Sequence, residues 1–249
     1  MTTITALPTT LGKSYRESGS RPVNRRPVVA IAAESRHYNL LPEPPYELWV
    51  KGELARHLGV PEDGHNRVEI IGGEIVVSPG PLIDHAKITT EIVHAFVRAL
   101  DKPGFRWWTL QNGDINLTHI AEGYVPDLIV LDADEFEAAS DARAQSLRPQ
   151  QVALAIEITS KWTAAGDRVP GPRRRKPTKW NGYAREGIEF YLLVDRDPRV
   201  ARVILFTKPR RAKGDYETSQ AWAFGETVVL PEPFGVEIPT DSWRPWGAD

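Results

Sequence analysis

Glu157 stands in the middle of VALAIEITS, an apolar run that otherwise reads as a buried strand. An ionised carboxylate loses much of its solvation when it leaves water, so burial there demands a partner cation, a metal or a raised pKa. Strand alternation puts Val152, Leu154, Ile156 and Ile158 on one face and Ala153, Ala155, Glu157 and Thr159 on the other, so small alanines flank the carboxylate. A second carboxylate, Asp127, opens the run PDLIVLD directly after Pro126 and shares a face with Ile129 and Leu131. Were the two strands neighbours, the carboxylates would converge. Such a pair repels itself unless a cation lies between, and hard oxygen ligands of this kind suit Mg2+ or Mn2+. A third group follows: a helix beginning near Pro177 carries Lys179 and Tyr183 four residues apart, on one face. An ammonium beside a metal could stabilise a developing phosphorane or orient an attacking water. Lys176 is an alternative source. Each residue also has a purely structural reading: Asp127 as a strand-entry turn residue, Glu157 as the partner of a buried arginine, Lys179 as a surface charge.

These groups must be positioned by a chain of 249 residues with 41% hydrophobic content, enough for a sizeable core. Cysteine is absent, which excludes disulfides, thiolate metal sites and cysteine nucleophiles and fits a reducing compartment. No apolar run approaches the roughly 20 residues that span a bilayer, and the N-terminus lacks the charged start and apolar centre of a signal peptide. The expectation is a soluble, cytoplasmic protein. Net charge is only −2, but its distribution is uneven. Acidic residues dominate 127–141, and the cations Arg173, Arg174, Arg175 and Lys176 cluster just before the Lys179 helix. That basic run is either a solvated loop or a surface that follows a phosphate backbone.

Residues 1–40 are rich in Thr, Ser, Pro and Arg without periodicity and read as a disordered or loosely attached arm; residues 41–249 read as a single domain. The stretch YELWVKGELARHLG has near-helical apolar spacing and ends before Pro61, predicting one short helix. In RVEIIGGEIVVSP, two β-rich segments flank Gly72 and Gly73, which suit a tight hairpin turn. Residues 83–100 place Ile88, Ile92, Val93, Phe96, Val97 and Leu100 on one stripe of a long amphipathic helix. Strands follow in FRWWTLQNGDINL, YVPDLIVLD, AIEITS, IEFYLLVD and ARVILFTKP, with further β-structure after Gly214. The fold class is α+β (α/β-like), with a mixed central sheet flanked by helices.

Taken in order, PEDGHNRVEIIGGEIVVSPGPLIDH, VPDLIVL, ALAIEITS, Asp167, Lys179 and Tyr183, and YAREGIEFYLLVD resemble the landmarks of the Uma family of putative restriction endonucleases, a branch of the PD-(D/E)xK nuclease superfamily. The resemblance spans residues 61–195. It implies a restriction-endonuclease-like fold, Asp127 and Glu157 as ligands to Mg2+ or Mn2+, and hydrolysis of DNA phosphodiesters. The superfamily lysine would fall two residues after Glu157, where this chain has Thr159; Uma-type sequences take a lysine from the following helix instead, which maps onto Lys179. The insertion VPGPRRRKPT is longer than the family usually shows, so Lys176 stays open. Glu74 resembles the acidic residue that such nucleases contribute upstream, as a ligand or a water contact, or is an ordinary solvent-facing strand residue. His85 matches the family's histidine, as a phosphate contact or a support for a ligand. Asp167 anchors its loop or pairs with an arginine. Arg173, Arg174, Arg175 and Lys176 would hold the DNA backbone without reading sequence, and Trp162 and Trp180 flank them as stacking platforms or core residues. Competing readings are a catalytically inactive nuclease-fold DNA-binding module, a His85-based hydrolase of another kind, and a protein-interaction domain; a homodimer is compatible with any of them.

Overall fold

The computed structural model describes residues 31–32, 41–61 and 66–247. Most of the expected N-terminal arm lies outside the described residues, apart from the two-residue strand β1 (Ile31–Ala32), whose register partners are Val77 and Val76. The single helix expected near residue 50 is two short ones, α1 (Pro45–Val50) and α2 (Leu54–His57). Gly52 separates them in the left-handed region (φ 68°), which a continuous helix does not accommodate. The hairpin forms as the residues dictate: β2 (Asn66–Ile71) and β3 (Glu74–Pro79) turn through Gly72 and Gly73, with φ of 61° and 75°. Helix α3 (Ile83–Ala99) follows and buries Ile88, Ile92 and Phe96.

Next come β4 (Trp107–Gln111), β5 (Ile115–Leu117), β6 (Glu122–Tyr124) and β7 (Leu128–Asp132). Two runs that read as single strands are each divided between sheets: β4 and β7 join one, β5 and β6 the other. The acidic stretch before residue 141 contains an additional helix, α4 (Ala133–Asp141), whose start Asp132 caps by accepting from Asp134 N–H at 2.9 Å. Then follow β8 (Leu154–Ile158), α5 (Ala164–Asp167), α6 (Lys179–Glu186), β9 (Phe190–Asp195), β10 (Arg202–Arg210), β11 (Asp215–Ala223), β12 (Val228–Val229) and β13 (Glu237–Ile238).

The central sheet has six strands in the order β11-β10-β9-β8-β7-β4, antiparallel except for the parallel pair β8 and β9. A second sheet, β1-β3-β2-β6-β5, carries the hairpin, and β12 pairs with β13. Alternation along the central strands sends Leu128, Val130, Leu154, Ile156, Leu192 and Val194 into a core with α3. Ile129, Leu131, Ala155, Tyr191 and Leu193 point the other way and pack with Trp180, Tyr183 and Ala184 of α6. Glu157 belongs to this second face. Among the described residues, no helix is long and apolar enough to cross a membrane.

Candidate active site

Leu128 pairs with Ile156 across β7 and β8, so continuing the register by one residue sets Asp127 opposite Glu157. Both carboxylates are buried, and Asp127 Oδ2 accepts from the Ile158 N–H at 2.8 Å. The juxtaposition expected from alternation is therefore present. The hairpin supplies the next layer. Arg67 Nη1 lies 2.6 Å from Asp127 Oδ1, and Glu69, one alternation further along β2, is buried with its Oε1 accepting from Val125 N–H at 2.7 Å.

Helix α6 closes the cluster. It starts at Lys179 because Thr178 is its cap: the Asn181 side chain accepts from the Thr178 N–H at 3.0 Å, and Gly187 (φ 79°) ends the helix in the left-handed region. Lys179 Nζ then lies 2.9 Å from Glu157 Oε1 and 2.7 Å from Glu69 Oε1. One turn later, Tyr183 donates to the same Glu157 oxygen at 2.6 Å. Gly182 allows this approach, since a Cβ there would sit 2.1 Å from the Tyr124 hydroxyl oxygen. From α3, His85 Nε2 reaches to 3.0 Å of Asp127 Oδ1, out of line for a hydrogen bond. Thr159, two residues after Glu157, is fully buried and accepts from the Arg196 N–H at 2.8 Å.

The electrostatics are lopsided. Glu69, Asp127, Glu157 and Asp167 are all buried, and Lys179 and Arg67 oppose them, with His85 beside Asp127. Burial drives the Glu157 carboxyl well above the usual carboxylate range against the attraction of Lys179, and the charges of Asp167, Asp127 and Glu69 add to the rise. Burial also pushes Asp167 up to about 7, again against Lys179, with Asp127 and Glu69 contributing. Burial opposes charge on Asp127 as well, but His85, Arg67 and the Ile158 amide hold it well below its ordinary value. Lys179 resists desolvation because Glu157, Glu69 and Asp167 hold its ammonium above its ordinary value.

The other sequence candidates lie outside this cluster. Glu74 is half-exposed and pairs with Lys176 at the surface, so the hairpin glutamate inside the cluster is Glu69, on the opposite arm. Lys176 does not reach Glu157. Arg173, Arg174 and Arg175 are exposed. Trp180 is buried against Phe206 and Tyr216, whereas Trp162 is half-exposed with Lys161 Nζ 5.5 Å from its ring centre. Arg67 and Glu69 share with Glu157 the signal of charged residues at alternate positions of an apolar strand, RVEII, a signal that does not tell which arm of the hairpin faces α6.

The model of the Uma2 family, described as a putative restriction endonuclease, matches residues 52–241. The chain belongs to the Uma2 family. Among solved structures, this Uma2 chain is similar to a putative nuclease of the DUF820 group from Anabaena variabilis, with a TM-score of 0.52 and 17% sequence identity over 74% of this chain and 92% of that one. At that identity the likeness is one of fold, and the Uma2 chain has the restriction-endonuclease-like architecture of a mixed sheet between helices. Among curated proteins none matches. Membership in the family supports a nuclease acting on nucleic acid.

Proposed function

We propose that the protein is a metal-dependent endonuclease that hydrolyses DNA phosphodiester bonds at the Asp127–Glu157 cluster. The observation that carries this reading is the convergence of Asp127, Glu157 and Lys179, from two adjacent strands and a helix, beside a surplus of buried carboxylates. Four buried acids against two permanent cations is an expensive arrangement for a purely structural core, and a divalent cation would relieve it. The donors are hard oxygens of the kind Mg2+ and Mn2+ take. Among the described residues no three such side chains already converge as a metal's ligand set, so binding would draw Asp127 and Glu157 partly away from Arg67 and Lys179.

In this scheme Asp127 and Glu157 hold the cation, and Glu69 and Asp167 add negative charge around it. When bound, the metal supplies Lewis acidity and a lowered pKa for water. The ammonium of Lys179 is held too firmly protonated to act as a general base, so it serves as a fixed positive charge for the phosphoryl oxygens. Tyr183 also stays protonated, because burial and the neighbouring Glu157 both raise its pKa, and its hydroxyl orients Glu157. His85 and Arg67 keep Asp127 ionised. The exposed run Arg173–Arg175 tracks the DNA backbone, giving salt-sensitive binding without sequence readout.

A second reading is favoured by a specific observation: Asp127 and Glu157 each already have protein partners, as they would in a catalytically inactive DNA-binding module. Nicking of supercoiled plasmid with Mg2+ or Mn2+, beside Asp127→Ala and Glu157→Ala shown to be folded, separates the two. Metal-dependent nicking lost in both variants supports the nuclease. Metal-independent, salt-sensitive binding without nicking by any protein supports the module.

A further inference from the structure

Beside the carboxylate cluster lies a cavity of about 350 Å3, within the size range of small-molecule sites. It opens between α2, the start of β2, the β3–α3 connection and the loop after β4. Val68 and Val125 give it apolar wall, and Asn66, Arg67, Asn112 and Asp114 give it polar groups. Arg67 belongs to both sites, since its guanidinium bridges Asp127 Oδ1 and Asn112 Oδ1, at 2.6 and 2.8 Å. Any ligand seated here is therefore one side chain away from the proposed hydrolytic centre.

Asn112 is exposed and Asn66 and Asp114 are partly buried, so their free polar atoms are open to a ligand that enters the cavity. Among the described residues, the Asp114 carboxyl makes no hydrogen bond or ion pair, although burial and the charge of Glu69 push its pKa up to about 6. Its backbone is fixed, with Asp114 C=O accepting from Leu147 N–H at 2.8 Å. Asn112 turns the chain in the left-handed region (φ 53°), which asparagine adopts readily, with its amide oxygen committed to Arg67. Its amide nitrogen and the Asn66 side chain have no partner among the described residues. The cavity thus offers a carboxyl acceptor and amide donors and acceptors between apolar walls. A phosphate or carboxylate is disfavoured by Asp114. A planar neutral heterocycle with a mixed hydrogen-bonding edge fits, and Asn and Asp are side chains that read the edges of amino-bearing bases.

We infer that this cavity receives one unstacked nucleobase of the substrate, with Asp114 accepting from an exocyclic amino group, so that cleavage is directed to nucleotides next to an extrahelical or unpaired adenine or cytosine. The inference rests on the nuclease reading and specifies its substrate: strands that are single, mismatched or easily opened, where extrusion of a base costs least.

The test uses oligonucleotides with a single 2-aminopurine, in EDTA so that binding is observed without turnover. The parent is expected to raise 2-aminopurine emission and shield it from acrylamide when the probe is unpaired. Ala55→Phe, which fills the cavity from α2 without touching the carboxylate cluster, should remove both effects. In parallel, unpaired adenine should bind about 10-fold tighter than purine, the same ring without the amine, and Asp114→Ala should bring the ratio near one. If Ala55→Phe fails to fold, the Asp114→Ala ratio decides. Unchanged emission in the parent, or an unchanged ratio in Asp114→Ala, while the parent still nicks plasmid, overturns the base pocket and leaves the nuclease standing. Absence of both nucleic-acid binding and nicking overturns the nuclease reading, and the pocket with it.

Discussion

Lys176 and Lys179 lie three residues apart, and each faces a glutamate, yet their surroundings differ completely. The Lys176 side chain is 55% exposed and pairs with a Glu74 that is 39% exposed. Lys179 and Glu157 are 4% and 3% exposed, with Glu69 sharing the same ammonium. What separates them is the helix start. Thr178 turns the chain into α6, so Lys179 enters against the sheet face while Lys176 stays on the preceding surface loop. An exposed pair gains little over its hydrated ions, whereas a buried pair is expensive to assemble and more expensive to break. The comparison teaches that position relative to a cap, more than distance along the chain, decides which lysine is available for chemistry.

The difference is broken most severely at the buried end. Lys179→Met should cost about 3–5 kcal/mol in stability, because it leaves Glu69 and Glu157 without their shared cation. Nicking by the folded fraction should fall by about 10²–10³-fold. Chemical denaturation and single-turnover nicking check the two effects.

The surplus of buried acid also predicts a pH dependence. The folded pKa of Asp167, about 7, lies above its unfolded value near 3.8, so the folded state binds the extra proton. The stability this contributes is fully present below pH 4 and is lost as pH rises through 7, by at most about 1.4 kcal/mol for each pH unit. Thermal denaturation in EDTA should show the Asp167→Asn variant losing less stability than the parent between pH 5 and 8.

A steric change should be milder. Gly182→Ala drives a methyl group into the Tyr124 hydroxyl and lifts α6 from the sheet, at a cost of about 1–3 kcal/mol. Nicking should drop although no charge has changed, and an accompanying Tyr124→Phe should recover part of it. At the surface, Glu74→Ala should alter stability by less than about 1 kcal/mol, and Lys176→Ala should leave nicking at low salt nearly unchanged while reducing the salt dependence of DNA binding by about one charge.

Much of the site was legible because strand alternation is strict. Residue spacing puts Glu157 on a face with Ala155 and Asp127 on a face with Ile129 and Leu131, and the register of β7 and β8 then brings the two carboxylates opposite each other. The hairpin at Gly72–Gly73 was legible for a similar reason, since two adjacent glycines favour a turn with positive φ at both positions. The hairpin carries a glutamate on each arm, Glu69 and Glu74, and of the two it is Glu69 that enters the cluster. Which arm faces α6 depends on how the second sheet packs, and that is a tertiary property. The division of YVPDLIVLD between β6 and β7 has a local mark in Pro126, which cannot donate to a ladder, but which sheet each half joins is again a tertiary property. The break between α1 and α2 was available in Gly52, which apolar spacing alone outweighed.

The central claim is that the buried cluster, and not the surface pair, performs the hydrolysis. Plasmid nicking by Glu157→Gln and Glu74→Gln, side by side with Mn2+, tests it most directly. Glu157→Gln should remain folded, because Tyr183 can still donate to the amide oxygen and Lys179 keeps Glu69. The account predicts that Glu157→Gln loses nicking and weakens Mn2+ binding measured calorimetrically, while Glu74→Gln keeps both. Equal activity in the two variants, or loss confined to Glu74→Gln, would contradict it.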